Sequence, residues 1–203
     1  MTLQLLQPPA GALRSVLTAL ASPIAVRHVT APALRLPDPG QPPRPSHPLP
    51  VHLLRRGVAL DAAPRTGWRF LIRCGDQVVA AAETIETPDG HAFSHFAEGP
   101  YLVATLRALQ QARRAAAASG VPHQPRLLSI PAVYTTALWL HPLRPDGSDL
   151  LIPLAPAPLG IPSHRLYPAA ELLDLFHRAV APPVPGASPN PPAGPDALTA
   201  AGR

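Results

Sequence analysis

Apolar residues alternate on both sides of a Gly-Asp pair in the middle of the chain, and this pattern predicts a β-hairpin. Residues 68–74 and 77–86 are strand-like, and Gly75-Asp76 forms the two-residue loop between them. A loop of this length sets the register, and the expected cross-strand pairs are Cys74 with Gln77, Ile72 with Val79, Phe70 with Ala81 and Trp68 with Glu83. The hairpin then has a core face that carries Trp68, Phe70 and Ile72, with Glu83 on the same face near the open end.

A Pro-Asp-Gly turn at residues 88–90 predicts that residues 91–96 return as a third strand. His91 and His95 would share one face of this strand, about 13 Å apart at roughly 3.3 Å per residue. Zinc holds its nitrogen ligands at about 2.0–2.1 Å. The two histidines are therefore not predicted to bind one metal ion.

Apolar residues that recur every three or four positions predict three helices. The predicted helices are an N-terminal one with the stripe Leu13, Val16, Leu17 and Leu20, a main one over residues 100–118 with the stripe Leu102, Leu106 and Leu109, and a last one over residues 169–180 with the stripe Leu172, Leu175, Phe176 and Ala179. The main helix is expected to pack on the hairpin face that carries Trp68. The β-branched residues of the segment 24–29 predict a short strand.

The second half of the chain adds strands that are apolar on both faces. Residues 126–142, interrupted by Pro131, predict one bent or two short central strands. Asp146-Gly147 then closes a second hairpin, and Pro153 predicts that its returning strand lies at an edge of the sheet.

These elements predict an α+β fold with an antiparallel sheet of about five to seven strands, in the order hairpin, strand, helix, strand, hairpin, helix. Eight prolines in residues 32–50 and seven in residues 182–203 argue against regular structure in either segment. The expected organisation is an N-terminal helix and short strand docked on the main domain (1–31), a proline-rich loop or linker (32–50), the α+β domain (51–181) and a disordered tail (182–203).

Composition adds expectations about source and compartment. All 17 basic residues are arginine, and the usage of alanine, proline, glycine and arginine is typical of a GC-rich bacterial coding sequence. Cys74 is the single cysteine, so no intrachain disulfide can form, which fits a reducing compartment. The first residues lack a basic segment followed by a long apolar one, and no apolar run reaches about 20 residues. We expect a cytoplasmic protein without a membrane partner.

The motifs of common catalytic sites are missing from the sequence. It contains no nucleophile elbow, P-loop, Rossmann glycine pattern or HExxH, and its histidines are scattered. One weak catalytic candidate is formed by Glu83, His95 and Glu98, because a histidine and a carboxylate in one pocket can perform acid–base chemistry. No cofactor-binding or metal-ligating residues are predicted.

The leading hypothesis is a non-enzymatic protein-binding or accessory module, whose partner is another protein or a second copy joined through the sheet. The first alternative is a small hydrolase or isomerase that uses Glu83, His95 and Glu98. The second is weak nucleic-acid binding through the N-terminal arginines, since residues 1–56 hold six arginines and one acidic residue. These arginines stand among prolines without aromatic residues for base stacking, which makes nucleic acid an unfavoured partner.

Overall fold

The computed structural model describes residues 3–180, which form one mixed sheet with helices on both faces. The strands are β1 (Arg44–Leu53), β2 (Arg65–Cys74), β3 (Gln77–Thr87), β4 (Gly90–Ala97), β5 (His123–Ile130), β6 (Thr135–Pro142), β7 (Leu150–Pro153) and β8 (Tyr167–Pro168). The helices are α1 (Ala10–Leu20), α2 (Pro23–Val26), α3 (Pro32–Arg35), α4 (Pro100–Ser119) and α5 (Ala169–Val180). The α+β class is confirmed, while the tail predicted at residues 182–203 lies outside the described residues.

The sheet has more strands than expected and is not wholly antiparallel. Its order is β4-β3-β2-β1-β5-β6-β7-β8, and the β1–β5 pair, Val51–Leu53 beside Leu127–Ser129, is parallel. All other neighbours are antiparallel. The two hairpin halves of the fold are therefore joined through β1, of which only residues 44–50 were predicted to lie in a loop.

The first seven residues of β1, numbers 44–50, correct the prediction of a loop over residues 32–50. They contain Pro45, Pro48 and Pro50, yet they pair with β2. Because β5 contacts only Val51–Leu53, this half of β1 has one neighbouring strand, and an edge position tolerates residues without an N–H group. The two residues between Ser46 and Leu49, one of them Pro48, lie at an irregularity where the regular pairing with β2 is interrupted.

Two further elements differ from the sequence predictions. The segment 24–29 was expected to form a short strand, but residues 23–26 form helix α2. Pro23 occupies the first turn of this helix, and the Ser22 hydroxyl accepts a hydrogen bond from the Ala25 N–H. Strand β7 is not the terminal strand, since Leu150 and Leu151 pair with β8. Prediction of an edge at Pro153 failed because the two-residue strand β8 is too short to leave a sequence signal.

A bulge in the first hairpin changes which side chains share a face. The Gly75-Asp76 loop and the pairing of Cys74 with Gln77 are as predicted. Beyond it, β3 contains one extra residue at Val79, so that Ile72 pairs with Ala80 and Arg69 pairs with Glu83. A shift of one residue moves every later side chain of β3 to the other face. Glu83 therefore lies opposite to the face of Trp68.

The prediction that the main helix packs on the face of Trp68 is wrong, because α4 packs on the opposite face of the hairpin. Helix α4 buries small residues, Ala104, Ala108 and Ala112, against Leu71 and Ala81. The face of Trp68, Phe70 and Ile72 is covered instead by buried residues of the N-terminal helices and their connections, namely Ala12, Val16, Val26, Val29 and Leu34. Helix α5 covers the other half of that same face through Leu172 and Phe176. Ala81 lies on the α4 face because the bulge pairs it with Leu71.

Candidate functional site

A second bulge, at Ser94 in β4, places His91 and His95 on opposite faces of the sheet. His95 pairs with Glu83 and Phe93 pairs with Thr84, which leaves Ser94 as the extra residue. His91 therefore faces the α1 side of the sheet and lines a cavity there, whereas His95 lines a cleft on the α4 side. The expectation that both histidines share a face is wrong, because a bulge reverses the alternation of side chains.

Glu83 is held by an arginine of the neighbouring strand. Both Nε and Nη2 of Arg69 donate hydrogen bonds to Glu83 Oε1, at 2.9 and 2.5 Å. His95 Nε2 lies 4.0 Å from the same oxygen. Glu83 Oε2 accepts no hydrogen bond from residues 3–180, so one carboxylate oxygen stays available to a ligand.

Glu98 lies in the same cleft, but both of its carboxylate oxygens accept hydrogen bonds from the N-terminal layer, which consists of helices α1 to α3 and their connections. Its Oε2 accepts hydrogen bonds from the Thr30 N–H at 2.7 Å and the Thr30 hydroxyl at 2.8 Å, and its Oε1 accepts one from the Ala31 N–H at 2.7 Å. Burial opposes ionisation of Glu98, but these hydrogen bonds outweigh it and lower its pKa below the ordinary value. Glu98 is thus a structural acceptor in the described molecule.

The cleft that these side chains share has a volume of about 480 Å³ and lies at the end of the sheet where α4 begins. One wall carries the ionisable groups Arg69, Glu83, His95 and Glu98. The opposite wall carries hydroxyl groups from β5, β6 and the turn between them, namely Ser129, Tyr134, Thr135 and Thr136. Tyr101, in the first turn of α4, lines the cleft between the two walls.

Tyr134 was not predicted as a site residue; with His47 and His164 it is one of three non-glycine residues with a positive φ among residues 3–180. It follows a short 3-10 turn at Pro131–Val133 and has φ 50° and ψ 40°, in the left-handed region. Its side chain is 91% exposed. The sequence showed only an apolar tyrosine beside Pro131, and no local signal announced the left-handed conformation.

Among residues 3–180, no strand pairs with the outer side of β4, which borders the cleft. None of the eight residues of β4 is fully buried, and Ser94 and His95 are exposed. On the α1 side, β4 borders a second cavity of about 770 Å³, lined by His91 and Phe93 together with Arg14, Ser15 and Thr18 of α1. The strand therefore runs between two cavities, one on each face of the sheet.

Other polar clusters serve the fold. Asp149 Oδ1 accepts hydrogen bonds from Trp139 Nε1 at 2.6 Å and His141 Nδ1 at 3.0 Å, which ties β6 to the start of β7. Arg126 lies over the Trp139 ring, 4.7 Å from its centroid. Sequence analysis treated the histidines as scattered and did not find this cluster, whose members meet across the β6–β7 pair.

Four of the six N-terminal arginines border three different cavities. Arg14 borders the α1-side cavity, Arg44 borders a pocket beside Gly75, and Arg55 and Arg56 border a small apolar pocket next to Phe176. Nucleic-acid binding through these residues stays a prediction.

Within residues 3–180, no group of three or more His, Cys, Asp or Glu side chains is arranged to hold a metal ion. The helices of this part of the chain are all too short or too polar to cross a membrane. Comparison of the chain with protein-family models, with curated proteins and with solved structures gave no match.

Proposed function

We propose that this protein is a non-enzymatic binding module that takes up an extended segment of a partner protein along β4. The observation that carries the proposal is the composition of this edge strand. Over eight residues, GHAFSHFA, it contains neither proline nor any Asp, Glu, Lys or Arg. Exposed edges are usually blocked by such residues, because unpaired N–H and C=O groups invite pairing with another chain.

The opposite end of the sheet makes the contrast. The terminal strand there, β8, is two residues long and ends in Pro168. β4 is four times as long and pairs only with β3, and within residues 3–180 its backbone has no partner on its outer side. Its one protective feature is the bulge at Ser94. Strand addition on β4 would satisfy the free backbone groups.

The two cavities beside β4 supply a means of specificity. Side chains of an added strand alternate between the two faces of the sheet. Those on one face would meet the α1-side cavity with His91 and Phe93, and those on the other would meet the cleft with Glu83 and His95. Backbone pairing provides affinity in this recognition mode, and pockets for alternate side chains select the sequence.

The proposal is tested by selecting extended peptides on the immobilised protein and comparing Ser94→Lys with Ser163→Lys. Ser94 is exposed on β4, whereas Ser163 is exposed in the loop before β8 at the other end of the sheet. We expect Ser94→Lys to abolish peptide binding and Ser163→Lys to leave it unchanged, with bound peptide protecting the amides of residues 91–97 from hydrogen exchange.

Equal binding by both variants, or protection confined to another surface, would contradict strand addition on β4. Light scattering separates a second source of the added strand. A dimer that Ser94→Lys converts to monomers would replace the partner segment with a second copy of this chain.

Acid–base catalysis is the second candidate, because Glu83, His95 and Glu98 all line one cleft. It is less well supported, since Arg69 neutralises Glu83 and the N-terminal layer occupies Glu98. Turnover of small ester or amide substrates by the wild type that His95→Gln abolishes would favour an enzyme. Equal or absent turnover in the two proteins would remove this candidate.

A further inference from the structure

The backbone of Tyr134 is costly for the fold and the side chain returns little. A non-glycine residue in the left-handed region is destabilised, because its Cβ atom comes close to the following carbonyl oxygen. Buried contacts normally offset such a cost, but this ring is 91% exposed and is absent from the three buried clusters. Strained residues that the fold itself does not need are concentrated at ligand sites.

The ring stands at the rim of the α4-side cleft, which holds a second partly exposed aromatic ring. Tyr101 is 39% exposed and lines the same cleft from the first turn of α4. Tyrosine rings present a negative π face, to which cations are attracted when they lie within about 6 Å of the ring centroid.

The charged side chains that line the cleft also favour a cationic ligand. Two carboxylates line it, Glu83 and Glu98, against the single guanidinium of Arg69. Arg69 binds only Oε1 of Glu83, which leaves Oε2 as an acceptor without a donor among residues 3–180. An anionic ligand would face these carboxylates without a compensating free cation in the cleft.

We propose that the cleft of Tyr134, Tyr101 and Glu83 binds the cationic head of a basic side chain, a guanidinium or ammonium group. In the complete protein this group belongs to a basic side chain of a partner protein, a source that rests on the function proposed above. The cation lies against the tyrosine rings, and Glu83 Oε2 accepts its hydrogen bond. The same cleft favours the cation over a neutral isostere, because a charged donor forms the stronger hydrogen bond with the free carboxylate oxygen of Glu83.

The probe is N-acetyl-arginine methylamide, titrated into the full-length protein and followed by NMR shifts of residues 129–136. N-acetyl-citrulline methylamide serves as the neutral isostere and N-acetyl-lysine methylamide as the ammonium form. We expect both cations to bind in preference to citrulline, with affinity that falls as salt is added. Removal of one exposed cation–π contact by Tyr134→Asn should weaken binding by roughly two- to five-fold.

Matched variants separate a contact role from a structural one. Asn tolerates the left-handed conformation, so Tyr134→Asn should raise the thermal midpoint while it lowers the affinity for the cation. Replacement of a tyrosine with a purely structural role would not produce this combination. Glu83→Gln should lower the affinity for the cation, whereas Glu86→Gln, on the same strand but outside the cleft, should leave it unchanged.

Equal affinity for citrulline and arginine derivatives, or unchanged affinity in Tyr134→Asn, would overturn the assignment. Failure of strand addition is distinguishable from failure here. Ser94→Lys blocks the edge of β4 but leaves Tyr134 and Tyr101 in place, so it should still bind the free arginine derivative.

Discussion

Glu98 fastens the N-terminal layer to the main domain through Thr30, whose N–H and hydroxyl both donate to Glu98 Oε2, at 2.7 and 2.8 Å. The two residues are 68 positions apart in the chain. Glu98 precedes α4 and Thr30 precedes α3, so the carboxylate joins helices that lie on opposite faces of the sheet.

We expect Glu98→Gln to loosen this connection. The amide keeps one acceptor oxygen, and its NH2 group is placed against a backbone N–H. The free energy of unfolding should fall by about 1–2 kcal/mol, and the amides of residues 30–35 should exchange faster. Urea unfolding and hydrogen exchange measure the two effects. Glu171→Gln, exposed in α5, is the control; equal behaviour of the two variants would show that Glu98 carries no such connection.

Stability should decrease as the pH falls below neutrality. Burial lowers the pKa of His52 below its ordinary value of 6.5, and the hydrogen bond with the Ala63 carbonyl opposes this only in part. Burial also lowers the pKa of His47 and His164. The unfolded chain takes up protons as the pH falls through 6.5 while the folded chain resists, so the unfolded state is favoured in that range.

Glu98 adds a second loss at lower pH, because its folded pKa is below the ordinary value of 4.5 and its stabilising contribution disappears as the carboxylate is protonated. Urea unfolding at a series of pH values tests this order. His52→Gln should make the dependence near pH 6.5 shallower, whereas the exposed His28→Gln should not. A stability that rises on acidification would contradict the assignment of these histidines.

Gly67 should not tolerate a side chain. A Cβ atom there would stand 1.8 Å from the carbonyl oxygen of Thr84 on the paired strand. Since that atom belongs to the backbone of a central strand, Gly67→Ala forces the β2–β3 pair apart. We expect a loss of about 3 kcal/mol, the upper part of the range for overpacking. Gly11→Ala in α1 meets only His91 Cδ2 at 3.8 Å and should be neutral or stabilising. Circular dichroism melts compare the two variants.

Asp149 should be among the costly polar residues to remove. In Asp149→Ala the indole N–H of Trp139, a residue only 1% exposed, loses its acceptor. We expect a destabilisation of about 2–3 kcal/mol. Asp149→Asn keeps an acceptor oxygen and should lose much less. Urea unfolding of both variants is monitored by tryptophan fluorescence. Equal midpoints would argue that the hydrogen bond between Trp139 and Asp149 contributes nothing to stability.

The sequence by itself determined those elements whose signals are local. Gly75-Asp76 and the turn at 88–90 specify tight connections, so the β2–β3–β4 meander was predictable from turn chemistry alone. Pro100 and Gly120, with φ 70°, mark the two ends of α4 in the same way. The grouping of Glu83, His95 and Glu98 near one end of the sheet followed from their places in these elements.

Only the tertiary structure decided the faces and the neighbours. Strands β2 and β3 are apolar on both faces, so alternation did not reveal the extra residues at Val79 and Ser94, and each bulge reversed the side chains beyond it. The proline-rich residues 44–50 became part of strand β1 because β2 offered a partner and β5 pairs only with the later residues Val51–Leu53. The hydrogen bonds of Glu98 join segments far apart in the chain, and no local pattern encodes the free energy of such distant contacts.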